Sequence, residues 1–190
     1  MKPKYLTCIL LTAAALLVFS GCIAQEKMGA ESLKSYLPQG EKLPEGFKLI
    51  VIEDKSLQGL NMTQEIKDFY GTKDIGSVNA TLARYNQSAL GDFKGDAKVT
   101  LIALKDEDHA KAAVSNYLEN FKSSNTVMLP GNRSLIRSAT VNGHETTVIG
   151  SIHEKGIQYL YLWNNKTIAV LVEGNYEENT SMKLVRATGL

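Results

Sequence analysis

The chain has 190 residues, with 21 basic and 20 acidic side chains, a formal charge of +1 and 44% hydrophobic residues. Near-neutrality without a basic stripe excludes a partner held through phosphate charge, so no nucleic acid is expected. A chain of this length can bury one sizeable core.

The chain opens with Lys2 and Lys4, followed by an uncharged run from Tyr5 to Phe19 that ends in Ser20-Gly21-Cys22. The run is shorter than the roughly 20 apolar residues a bilayer span needs. A basic start, a short apolar core and small residues make a secretory signal. "LLVFSGC" resembles a lipoprotein signal, in which a diacylglyceryl-type lipid alkylates the thiol and the chain is cut just before it. Phe19 stands where that pattern usually has Leu. The resemblance implies a signal peptide over 1–21, lipidation at Cys22, and a place on the extracytoplasmic face of the cell membrane. Two acyl chains anchor stably where one does not. A cleaved signal without lipid and an uncleaved anchor are the alternatives. With Cys8 removed, Cys22 would be the sole cysteine, leaving no intrachain disulfide.

Residues 22–43 read as a polar tether with an apolar trio, Leu33, Tyr36 and Leu37; the alternative is a segment packed on the domain. Fully extended, about 20 residues reach roughly 66–70 Å. The globular domain is then expected over 44–190.

Gly46–Glu53 reads as a β-branched strand after Pro44. Thr63–Tyr70 reads as a short helix, with Ile66 and Tyr70 on one face. Ser77–Tyr85 is a second strand, Gly91 and Gly95 bracket a loop, and Ala97–Leu104 is a third strand. The best helix opens at Asp106: Ala110, Ala113, Val114, Tyr117, Leu118 and Phe121 form one apolar stripe. Its acidic start, Asp106-Glu107-Asp108-His109, suits capping and the helix dipole rather than a metal, because adjacent helical residues diverge. Strands follow over Leu135–Val141, His144–Ile152, Gly156–Trp163 and Thr167–Val172. They turn at Asn142-Gly143, Glu154-Lys155-Gly156 and Asn164-Asn165. Glu177–Ala187 is a last helix. The order predicts an α+β fold in a single domain. Its sheet is mostly antiparallel, of about six to seven strands, with a C-terminal four-strand meander and helices packed on it. The order is loosely similar to the PsbP/Mog1-like fold, a resemblance that implies no function.

Six sequons occur, at Asn61, Asn79, Asn86, Asn132, Asn165 and Asn179. With 12 Asn and 26 Ser plus Thr in the chain, chance gives roughly 1.6. All six are candidate N-glycosylation sites; turn composition is the alternative source. Together with the N-terminal segment, they resemble cell-surface lipoproteins of methanogen-type archaea of unknown function.

No phosphate loop, nucleophile elbow or paired-Cys metal pattern is present. His144 and His153 stand at opposite ends of one predicted strand, about 30 Å apart, too far for one metal. No catalytic residue, metal or cofactor is therefore expected. Tyr159, Tyr161 and Trp163 share one strand parity and are the candidate surface for a ligand or partner; a helix packed over them would make them core. The expected function is a non-catalytic module binding a small ligand or an envelope protein. The alternatives are an accessory subunit docking onto a membrane complex and an enzyme without a motif.

Overall fold

The structure is a computed structural model describing residues 29–57, 59–89, 92–124, 136–153 and 156–190. The expected signal, Cys22 and Asn132 lie outside the described residues.

The chain folds as α1 (Ala30–Lys34), β1 (Phe47–Asp54), α2 (Met62–Glu65), β2 (Asn79–Ala89), β3 (Asp92–Ala103), α3 (Glu107–Ser124), β4 (Ile136–Val141), β5 (His144–His153), β6 (Gly156–Asn165), β7 (Ile168–Glu173) and α4 (Glu178–Ala187). Seven strands form one sheet in the order β1-β2-β3-β7-β6-β5-β4. Every pairing is antiparallel. The fold is a single α+β domain, and the C-terminal four strands form the expected meander. A second meander, β1 to β3, meets it along β3 and β7, where Val99 pairs with Val172 and Leu101 with Val170.

The central strands are apolar at both parities, so each face needs a cover. One face presents Tyr85, Val99, Leu101, Val170, Val172, Tyr161 and Trp163, packed with Leu33 and Leu37 at α1 and Leu184 and Val185 of α4. The other presents Ile102, Leu171, Leu160, Leu162 and Ile149, packed under Ala110, Ala113 and Tyr117 of α3 and under Ile66, Phe69 and Ile75. The predicted stripe on α3 faces the sheet in full, with Val114, Leu118 and Phe121 at its half-buried margin.

Three expectations are corrected. The helix over Thr63–Tyr70 is only α2 plus a 3₁₀ turn over Lys67–Phe69. Asparagines of α3 bind the free carbonyls at the end of this segment. Asn116 Nδ2 donates to the carbonyls of Phe69 (3.1 Å) and Lys73 (2.8 Å), and Asn120 Nδ2 donates to those of Asp68 and Tyr70 (both 2.9 Å). The loop expected around Gly95 is strand. Asn86 pairs with Asp96 and Ser88 with Phe93, so Lys94-Gly95 carries the extra residue of a β-bulge.

The third correction concerns the tether. From Gly29 onward that segment belongs to the domain: Leu33 and Leu37 are completely buried. Lys34 Nζ lies 2.8 Å from Asp54 Oδ2. Lys34, with Ser56, holds the Asp54 carboxyl down at about 2. A chain beginning at Pro44 should be about 3–6 kcal/mol less stable than one beginning at Gly29, the transfer free energy of two buried leucines. Urea unfolding of the two chains checks this; equal midpoints would return residues 29–43 to a tether.

Candidate functional site

The aromatic stripe is not an open surface. β6 runs between β5 and β7, and the parity carrying Tyr159, Tyr161 and Trp163 is the one α4 covers. Tyr161 is 0% and Trp163 2% exposed. Tyr161 Oη donates to the Glu178 carbonyl at 3.2 Å, and burial pushes its phenol well above the ordinary value. Tyr159 is half-buried, its amide donating to the Asn175 carbonyl at 3.3 Å. The expectation of a ligand or partner surface on these residues is corrected: they belong to the core. The approach of α4 depends on Gly174, where a Cβ would lie 2.3 Å from Ser181 Oγ and 2.8 Å from the Tyr159 carbonyl oxygen.

Asp106 caps α3 as its spacing implies. It accepts the His109 amide at 2.9 Å and lies 2.5 Å from His109 Nδ1. Those contacts hold its carboxyl below the usual range. His144 and His153 open and close β5, as expected. Among the described residues no group of three or more His, Cys, Asp or Glu is placed to hold a metal ion, and no helix is long and apolar enough to cross a membrane.

The constellation that sequence reading missed lies on the face covered by α3, toward one end of the sheet. Along this face β2 runs Ala80, Leu82, Arg84; β3 runs Ile102, Thr100, Lys98; β7 runs Ala169, Leu171, Glu173. Register puts each triplet beside the next, with Arg84 opposite Lys98 and Lys98 opposite Glu173. The face thus passes from apolar to charged within four residues. Glu53 arrives from β1 and Glu65 from α2. Arg84 Nε is 3.1 Å from Glu53 Oε2, and Arg84 Nη2 is 3.1 Å from Glu65 Oε2. Lys98 Nζ is 2.6 Å from Glu173 Oε2 and 3.8 Å from Glu65 Oε2. Burial works against the charge on Arg84, but Glu53 and Glu65 outweigh it and raise its pKa. Tyr117 stands near the same field: burial first, then Glu173 and Asp68, push its phenol up.

Above this row lies a recess of about 250 Å³. Arg84, Lys98 and Glu173 line it together with Ile50, Asp96 and Gln158. Ile50 is turned outward by a register shift between Leu49 and Val51. Gln158 is tied by Nε2 to the Gly174 carbonyl at 2.8 Å. Two cations here face the carboxylates of Glu53, Glu65 and Glu173, with exposed Asp96 adding a fourth. In parity the three central charges simply continue apolar strands, so their row appears only once register is known.

No family model and no curated protein matches this chain. Among solved structures it is similar to the extracellular domain of PknH from Mycobacterium tuberculosis, with a TM-score of 0.50 and 10% identity, over 86% of this chain and 95% of that one. Identity that low carries the fold alone.

Trp163→Ala tests the core placement of the aromatic stripe. Emptying this site should cost about 3–5 kcal/mol in denaturant unfolding, as for other buried aromatics. A loss below about 1 kcal/mol would instead mark an exposed aromatic face.

Proposed function

We propose that this chain is a lipid-anchored, extracytoplasmic, non-catalytic module that binds a small ligand carrying a positive charge in the recess between β2, β3 and β7. The observation that carries the ligand reading is the recess itself: Arg84, Lys98, Asp96 and Glu173 line the cavity, and Glu53 and Glu65, paired with the two cations behind that wall, bring the carboxylates of the cluster to four against two. A cationic head finds surplus negative charge there at reduced solvent screening. The cavity of about 250 Å³ suits a compact amine rather than a large ligand. Glu53, Glu65 and Glu173 are engaged by Arg84 and Lys98, an arrangement that supports binding over catalysis.

The address rests on the sequence around Cys22, including the short apolar core and the small residues before the thiol. The fold shared with an extracellular domain supports the same placement. The sequon excess supports a cell-surface, archaeal-type lipoprotein. Docking onto a membrane complex has less support. The large exposed apolar side chains Ile50, Leu57, Tyr70 and Ile152 sit on separate segments, as ordinary surfaces allow.

Two experiments test the two halves. For the anchor, Cys22→Ser should move the protein from the membrane fraction to a soluble or unprocessed form; a mutant retained on membranes at the processed mass overturns lipidation. For the recess, putrescine titrated into the ¹⁵N-labelled chain from Gly29 onward should shift the amide resonances of Arg84, Lys98, Gln158 and Glu173. Succinate should not. Glu173→Gln should weaken putrescine roughly tenfold, the loss of one charge-assisted hydrogen bond. Equal response to both compounds, or none at these amides, sinks the cationic-ligand reading.

A further inference from the structure

The sequons are not equivalent once folded. Glycan transfer needs the Asn amide nitrogen and a Ser or Thr hydroxyl two residues on, both presented to the transferase. Thr81, the hydroxyl residue of the Asn79 sequon, is 0% exposed, and its Oγ1 donates to the Glu53 carbonyl at 3.1 Å. Ser181, which completes the Asn179 sequon, is likewise 0% exposed. Its Oγ accepts the Asn175 amide at 2.9 Å and donates to the Glu177 carbonyl at 2.9 Å. Both hydroxyls are structural, and they account for those residues without any glycan.

Asn86 lies inside β2, paired with Lys48 on one side and Asp96 on the other, with its Oδ1 buried. Asn165 and Thr167 are half-buried in the tight β6–β7 hairpin, where Lys166 takes φ +50° and the Leu104 amide donates to the Thr167 carbonyl at 2.9 Å. Presenting the Asn79, Asn86 or Asn179 sequon requires the sheet or the α4 packing to open locally; Asn165 and Thr167 are hindered less, by their half-buried place in the hairpin.

Asn61-Met62-Thr63 differs. Both Asn61 and Thr63 are exposed. Asn61 is the N-cap of α2, its Oδ1 accepting the Gln64 amide at 3.3 Å. That cap uses the carbonyl oxygen, whereas a glycan attaches to Nδ2, so the modified side chain can still cap. Asn61 and Thr63 sit at the exposed start of α2, ahead of its packed residues Glu65 and Ile66, so the acceptor can be presented without disturbing them.

We propose that Asn61 is the N-glycan acceptor of the folded domain, among the five sequons the structure describes. The donor is a polyprenyl-phosphate-linked oligosaccharide. Asn61 Nδ2 bonds to the anomeric carbon as the anomeric C–O bond to phosphate breaks. The lipid phosphate leaves with the electron pair, and the amide proton passes to a base. The biological use of the site rests on the exported placement proposed above, but its competence as an acceptor does not.

The test therefore works in vitro. The folded full-length chain in detergent is incubated with a purified transferase that reads Asn-x-Ser/Thr and its lipid-linked oligosaccharide, and glycopeptides are mapped by mass spectrometry. The same reaction is run on synthetic peptides spanning each sequon. On the folded chain Asn61 should be occupied at least about tenfold above Asn79, Asn86 and Asn179, because those three wait on local opening, and should also exceed Asn165, whose sequon is half-buried where that of Asn61 is exposed. The preference should collapse on the peptides. Thr63→Ala should abolish transfer to Asn61, and Thr63→Ser should keep it. Failure of Asn61 on the folded chain while its peptide is modified overturns the proposal, as does equal occupancy at Asn79 or Asn179. Either result leaves the Cys22 fractionation untouched, so acceptor and address fail separately.

Discussion

A seven-stranded antiparallel sheet with apolar side chains on both faces of its central strands fixes nearly everything else in this molecule. β3, β6 and β7 cannot leave either parity in water without exposing several large side chains, each worth about 1.5–3 kcal/mol when buried. Two covers are therefore required, and the chain supplies them unevenly. One face receives the long helix α3 and, beside it, the segment carrying Ile66, Phe69 and Ile75. The other receives two short pieces from opposite ends of the chain, α1 and α4. With Cys8 and Cys22 the only cysteines, the described domain is held by this packing and its hydrogen bonds rather than by crosslinks.

The double cover explains which parts of the fold were legible in advance. Strands of doubled apolarity and the α3 stripe are local patterns, and both read correctly. Asn142-Gly143 was legible for a backbone reason: both residues take positive φ, +51° and +83°, as a two-residue hairpin demands. What failed depended on partners distant in sequence. Thr63–Tyr70 has a helical pattern, but its end is a 3₁₀ turn whose free carbonyls at Asp68, Phe69 and Tyr70 are bound by Asn116 and Asn120 of the distant α3. The polar residues around Leu33 and Leu37 suggested a tether, yet those two leucines fill the gap that α4 leaves on its face. The aromatic parity of β6 was visible; which side of the sheet α4 would choose was not.

The charged row was illegible for a related reason. Arg84, Lys98 and Glu173 are separated by 14 and 75 positions, and nothing local couples them. Each sits where its strand runs out from beneath the apolar cover. Antiparallel register then turns three separate strand positions into one electrostatic neighbourhood. Burying such a group costs more than it returns unless every charge finds a partner, and here each cation engages at least two carboxylates or a single close one. The surplus falls to the carboxylates, which gives the recess its sign.

Packing of residues 29–43 also changes what an anchor at Cys22 would mean. Only the step from Cys22 to Gly29 remains to span, at most about 25 Å of extended chain, rather than the longer reach of a free tether. The domain would stand close to its membrane. The chain enters through α1, which packs on the face of β2 and β3 opposite to the one carrying Arg84 and Lys98. An anchor pulling from that side bears on the back of the strands that form the recess. The Lys34–Asp54 pair and the two buried leucines would then resist that pull as well as completing the core. With an anchor at Cys22, the recess would face away from the side on which the chain enters, and solutes could reach it without the domain reorienting.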